Sequence, residues 1–106
     1  MKISEIIKTL DARVICGEER LDEDIDKAFA SDLMSDILTI GENIPMIITG
    51  LCNLQTIRTC EMGCIDTIVF IRKKKPTEEM ISLARDNDMI ILESDYSMFK
   101  ACGLLW

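Results

Sequence analysis

Residues 45–94 read PMIITGLCNLQTIRTCEMGCIDTIVFIRKKKPTEEMISLARDNDMIILES, and the rhythm of this stretch decides the fold. Residues 45–49, 67–71 and 89–92 are short, unbroken apolar runs rich in β-branched side chains. Such runs form strands buried on both faces, because a strand with one wet face would alternate with polar residues. The segments between them, 53–63 and 77–87, have helical length and spacing. Strand, helix, strand, helix, strand at these lengths predicts right-handed βαβ crossovers and a parallel sheet covered on both sides.

Upstream, Ile3, Ile6, Ile7 and Leu10 recur at helical spacing, and Ser4 offers an N-cap. Residues 13–16 read as a brief strand closed by Gly17. EERLDEDID, residues 18–26, is an acidic hairpin or turn facing solvent, and 27–31 a further strand. Residues 32–40 predict a helix with Leu33, Ile37 and Ile40 on one face, capped by Ser31 or Asp32 and ended by Gly41. A last helix is expected over 96–105. The expected architecture is a single three-layer α/β domain spanning residues 1–106, with a mostly parallel sheet flanked by helices.

Composition narrows the function classes. With 48% apolar and 29% charged residues the 106-residue chain is an ordinary globular domain, with no linker or repeat. A formal net charge of -7 works against nucleic-acid binding, which needs cations against many phosphates. No apolar run reaches the roughly 18–20 residues of a membrane helix, and the opening Met1-Lys2-Ile3-Ser4 does not lead into a signal-peptide core, so a cytoplasmic protein without membrane contact is expected. The five cysteines contain no CxxC pair and read as reduced thiols. The lack of histidine removes Ser-His and Cys-His catalysis and mixed Cys/His zinc sites.

In a parallel sheet, ligands collect outside the carboxyl ends of the strands. Those ends would bring together Ser31, Asp32, Thr49, Gly50, Asn53, Arg72, Lys73, Ser94 and Asp95, a polar rim suited to a small anion. The competing reading is that Ser31, Asp32, Thr49, Thr77, Ser94 and Asp95 are helix caps. The run Arg72-Lys73-Lys74-Lys75, four of the 12 cations in the chain, reads either as counter-charge for that anion or as a solvated turn. Neither GxGxxG nor GxxxxGK[ST] occurs. Cys60 and Cys64, at i and i+4, could share a metal, but Cys52 would lie roughly 12 Å away along the same helix at 1.5 Å per residue. Leu54, Ile57, Cys60 and Cys64 instead make a core-facing stripe. Asp32 and Asp36 form too sparse a pair for a cation. Met80, Met89, Met98 and Phe99 read as core or interface filling. No catalytic constellation, metal site or cofactor is expected.

Taken with this order of elements, ISEIIKTLDARVICGEERLDEDI (3–25), FASDLMSDIL (29–38) and IVFIRKKKPTEEMISLARDNDMIILESDYSMFKACGLL (68–105) resemble the DRTGG domain family. The first and last thirds are also similar to the N-terminal domain of HPr kinase/phosphorylase, whose chemistry belongs to a separate P-loop domain. The resemblance implies a compact α/β fold and a regulatory, ligand-sensing or dimer-forming role. It points to members that stand alone, some linked with iron-only hydrogenase genes in anaerobes, or sit beside CBS and phosphotransacetylase domains. The family's Asp and Arg would follow Gly50, where this chain has Leu51 and Cys52. Its Thr-Gly-Gly would fall at Ile71, Arg72 and Lys73, and bulky residues there are expected to deny a ligand close approach to the backbone.

The leading expectation is a non-enzymatic regulatory or interaction domain, homodimeric and acting through a partner protein. The alternative is a sensor holding a nucleotide or other phosphorylated metabolite at the strand ends. A thiol-based metal or redox protein is a third, more distant reading.

Overall fold

Alternation along three central strands sorts the core into two halves. In a computed structural model that describes residues 1–32 and 44–106, the chain forms helix α1 (Ile3–Leu10), strand β1 (Arg13–Cys16), a 3-10 turn (Glu18–Arg20), and strands β2 (Ala28–Ala30) and β3 (Met46–Thr49). Then follow α2 (Leu54–Met62), β4 (Thr67–Phe70), α3 (Glu78–Asp86), β5 (Ile90–Glu93) and α4 (Met98–Leu105). Ile47, Ile68, Phe70 and Ile91 point to one side of the sheet, against Ile57 and Cys60 of α2 and Met80 and Ala84 of α3. Met46, Ile48, Val69, Ile90 and Leu92 point to the other, against Ile3, Ile6 and Leu10 of α1 and Ala101 of α4. Two-residue periodicity in the strands and apolar neighbours on both faces yield three layers, as the sequence predicts.

The sheet order is β1-β5-β4-β3-β2. β2 through β5 run parallel, and β1 lies antiparallel to β5 with a register shift between Val14 and Cys16. The carboxyl ends of β2 to β5 therefore share one rim, where antiparallel β1 begins. The helix expected over 32–40 lies outside the described residues, apart from Asp32.

Several local expectations are corrected. Ser4 lies inside α1, whose cap position is Lys2; the Lys2 amide donates to Glu5 Oε1 at 2.9 Å. Asn53 and Thr77 do cap their helices, accepting from the amides of Thr56 and Met80, and Ser97 caps α4. Cys64 is not on the core stripe: α2 stops at Met62, Cys64 is exposed with φ 59°, and the chain turns so that Ile65 is buried instead. The Ile65 amide donates to the carbonyl of Cys60 at 2.8 Å, closing the helix end around the left-handed residue. Phe99 is 91% exposed and so fills no core.

Candidate functional site at the strand ends

Parallel registration sets the rim's geometry. Thr49 pairs with Phe70, and Phe70 with Glu93, so the residues following these three end together. Asp32, just beyond β2, turns its carboxylate onto the end of β3. Its Oδ1 accepts from the Gly50 amide at 2.7 Å and from the Thr49 hydroxyl at 3.3 Å. Its Oδ2 accepts from Arg72 Nη2 at 2.9 Å. Three donors from two strand ends thus converge on one carboxylate.

Arg72 reaches that position because of backbone geometry and a missing Cβ. Arg72 and Lys73 both adopt left-handed conformations, with φ 60° and 62°. Such angles cost a non-glycine residue roughly 1–2 kcal/mol and persist only where surrounding bonds impose them. Here the Arg72 amide donates to Tyr96 O at 2.8 Å, the Lys73 amide to Ser94 O at 3.3 Å and the Lys74 amide to Ile71 O at 3.2 Å. The guanidinium then lies over Gly50, where a Cβ would come within 2.0 Å of Nη2. Glycine would suit positions 72 and 73, where the backbone is left-handed, and this chain carries two cations there.

The opposite end of the rim is neutralised internally. Glu93, almost fully buried, accepts from Arg13 Nε at 2.5 Å and Lys75 Nζ at 3.2 Å, while Arg13 Nη2 donates to Asp95 at 2.8 Å. The Arg13 hydrogen bond holds the Asp95 carboxyl below the usual range, and Asp95 and Glu93 in turn raise the guanidinium pKa. Lys73 and Lys74 are exposed and form no ion pair among the described residues.

The structure thus brings Asp32, Thr49, Gly50 and Arg72 into contact. It gives Asn53 to capping α2 and withdraws Ser94, which is fully buried, donates to Leu10 O at 2.7 Å and accepts from the Tyr96 amide. Ser31 continues the β2 ladder, its amide donating to Ile48 O at 3.1 Å. Sequence reasoning did not single out Arg13 or Glu93 as rim residues, and it read Lys75 only as a member of the basic run. Glu93 after an apolar run was the available signal, since a carboxylate ending a buried strand calls for cations nearby.

Among the described residues no cluster of three Cys, Asp or Glu side chains could hold a metal. Burial pushes the Cys60 thiol up to about 12 and also raises Cys16, Cys52 and Cys102, although Lys74 opposes the effect at Cys52.

The second surface feature is apolar. A cavity of about 490 Å³ opens beside β2 and β3, lined by Ile25, Ala30, Met46 and Ile48 and edged by Leu105 and Trp106. Next to it α4 presents Phe99 and Gly103, and Trp106 follows at its C-cap position, spaced i, i+4 and i+7; Phe99 and Trp106 are exposed, and a Cβ at Gly103 would meet nothing within 4 Å. Among the described residues, no helix is long and apolar enough to cross a membrane.

No protein-family model and no curated relative matches this sequence. The fold does match a solved structure, that of the CBS and DRTGG domains of the regulatory region of Clostridium perfringens pyrophosphatase complexed with its activator, diadenosine tetraphosphate. The TM-score is 0.79 at 20% identity, covering 98% of this chain and 45% of that one. The likeness is therefore one of fold, and this chain spans about half of the other's length.

Proposed function

We propose that this chain is a DRTGG-type regulatory domain that catalyses no reaction itself, forms a homodimer through the outer face of α4, and passes its output to a partner protein. The observation that carries the reading is the 91% exposure of Phe99 on a helix whose opposite face is already packed into the core. A helix apolar on both sides calls for a second apolar neighbour. Phe99 and Trp106, each offering about 150–250 Å², supply roughly half of the ~800 Å² per partner that a standard interface buries. Leu104, 47% exposed, and Met1, 44% exposed, are further exposed apolar side chains. A second copy fits it by symmetry: two α4 helices crossing at Gly103 approach closely, and each Phe99 then lies against Trp106 of the partner subunit. Similarity to a pyrophosphatase regulatory region supports the assignment to regulation.

Sedimentation equilibrium tests this reading. The wild type should show a concentration-dependent approach to twice the monomer mass, and Phe99→Ser should remain monomeric and folded, with an unchanged far-ultraviolet circular dichroism spectrum, because the side chain contributes almost nothing to the monomer core. A wild type that stays monomeric at the highest concentration reached overturns the dimer.

A second reading, a sensor of nucleotides or other phosphorylated metabolites, is favoured by one separate observation, the convergence of three donors on Asp32. The similar regulatory region is complexed with a phosphorylated activator, in keeping with such a role.

A further inference from the structure

We infer that the Asp32 carboxylate occupies a phosphate-binding site as an internal stand-in for the ligand, and that a terminal phosphate of a nucleotide or phosphorylated metabolite binds by displacing it. The inference deepens the sensor reading, rests on it, and is independent of the dimer.

The Gly50 amide, the Thr49 hydroxyl and the Arg72 guanidinium converge at 2.7, 3.3 and 2.9 Å on a single anionic group. A backbone amide, a hydroxyl and a guanidinium are the donor set that recognises phosphoryl oxygens. Asp32 satisfies these donors with one negative charge, while Lys73 and Lys74, which follow Arg72 in the turn, form no ion pair among the described residues. Lys74 lies close enough to Cys52, two residues beyond Gly50, to act on its thiol. A phosphate monoester carries more charge and more acceptor oxygens than a carboxylate, so it can hold Arg72 more fully than Asp32 does and draw in a lysine of the turn.

The turn's construction supports the assignment. Glycine would suit positions 72 and 73 without backbone strain, yet this chain places Arg and Lys there and holds them with hydrogen bonds to Tyr96 O and Ser94 O. Those bonds consume the turn's amides, so anion recognition falls to side chains and to the Gly50 amide. Gly50 in turn leaves the space the guanidinium needs. Asp32 and Arg72 are both about half exposed, which allows the carboxylate to swing out and a ligand to enter from solvent.

Isothermal titration calorimetry on the full chain with ADP, inorganic phosphate and adenosine tests the inference. Asp32→Asn keeps acceptor and size while removing the competing charge, and it should bind ADP about tenfold more tightly than the wild type, with inorganic phosphate showing the same order and adenosine no binding. Arg72→Gly, which fits the left-handed turn, should abolish phosphate binding while remaining folded by circular dichroism. If the wild type binds ADP and Asp32→Asn binds it no better, the internal stand-in is wrong and the sensor survives. If neither binds ADP or phosphate, both are wrong; should Asp32→Asn unfold, Asp32→Ser, which also removes the charge, decides by the same comparison.

Discussion

Lys73→Gly should make this domain more stable, and Lys74→Gly should make it less so, although both remove one lysine from the same exposed turn. Lys73 has φ 62°, whereas Lys74 is not among the positive-φ residues. A non-glycine residue in the left-handed region costs roughly 1–2 kcal/mol, which glycine recovers. Glycine also adds unfolded-state entropy worth about 0.5–1 kcal/mol. Lys73→Gly therefore gains on the order of 0.5–1 kcal/mol, while Lys74→Gly loses about 0.5–1 kcal/mol with no relief to set against it. The hydrogen bond from residue 73 to Ser94 O survives, because glycine keeps its amide. At about 4 °C per kcal/mol for a domain of this size, the two variants should melt 2–4 °C above and below the wild type, respectively. Calorimetric melts at matched pH and ionic strength read the difference, and the equal change in net charge cancels long-range electrostatics between them. If Lys73→Gly melts at or below the wild type while Lys74→Gly matches it, the left-handed strain on which the argument depends is absent.

Gly17→Ala should be among the most damaging single-methyl additions, because Gly17 has φ 89° and the new Cβ would lie 2.9 Å from the Ile90 Cα in the central sheet. Backbone strain and overpacking together should cost about 2–5 kcal/mol, seen as a lower urea midpoint at an unchanged m-value; a loss under about 0.5 kcal/mol contradicts the packing. Thiol reactivity should divide by burial. At pH 8 only Cys64 should react quickly with an aromatic disulfide reagent, since it is exposed while Cys60 is buried with its pKa pushed up to about 12, which leaves almost no thiolate. A fast phase that persists in Cys64→Ser would refute this.

Layering was legible in the sequence because it follows from local pattern. Ile47, Ile68 and Ile91 had to face one side and Met46, Val69 and Ile90 the other once the runs were read as strands, whatever their order. Strand order depends on which runs pair, a long-range choice that composition does not encode. The antiparallel placement of β1 beside β5 accordingly came only from the structure. Helix ends were read less well in detail: the expected segment 53–63 ends where the structure caps α2, but Cys64, read as part of the core-facing stripe, takes the left-handed turn beyond it, and its exposure follows from that.

At the rim, the residue types were legible and their pairings were not. Asp32 and Arg72 are forty positions apart, and their 2.9 Å contact exists only because β2, β3 and β4 lie side by side in register. The basic run could be read as a solvated turn or as an anion site, and its members differ in what they contact. Lys75 is bound to buried Glu93, and Lys74 continues the turn through its bond to Ile71 O. Arg72 is set over a glycine that leaves it room. An arginine held at φ 60° by a bond to Tyr96 O is an expensive way to keep a turn soluble, since glycine would hold the same turn without strain and a lysine elsewhere would supply the charge. The cost is reasonable only if the guanidinium is wanted at that place, which is why the weight of the site rests on Arg72 and its carboxylate rather than on the number of lysines around them.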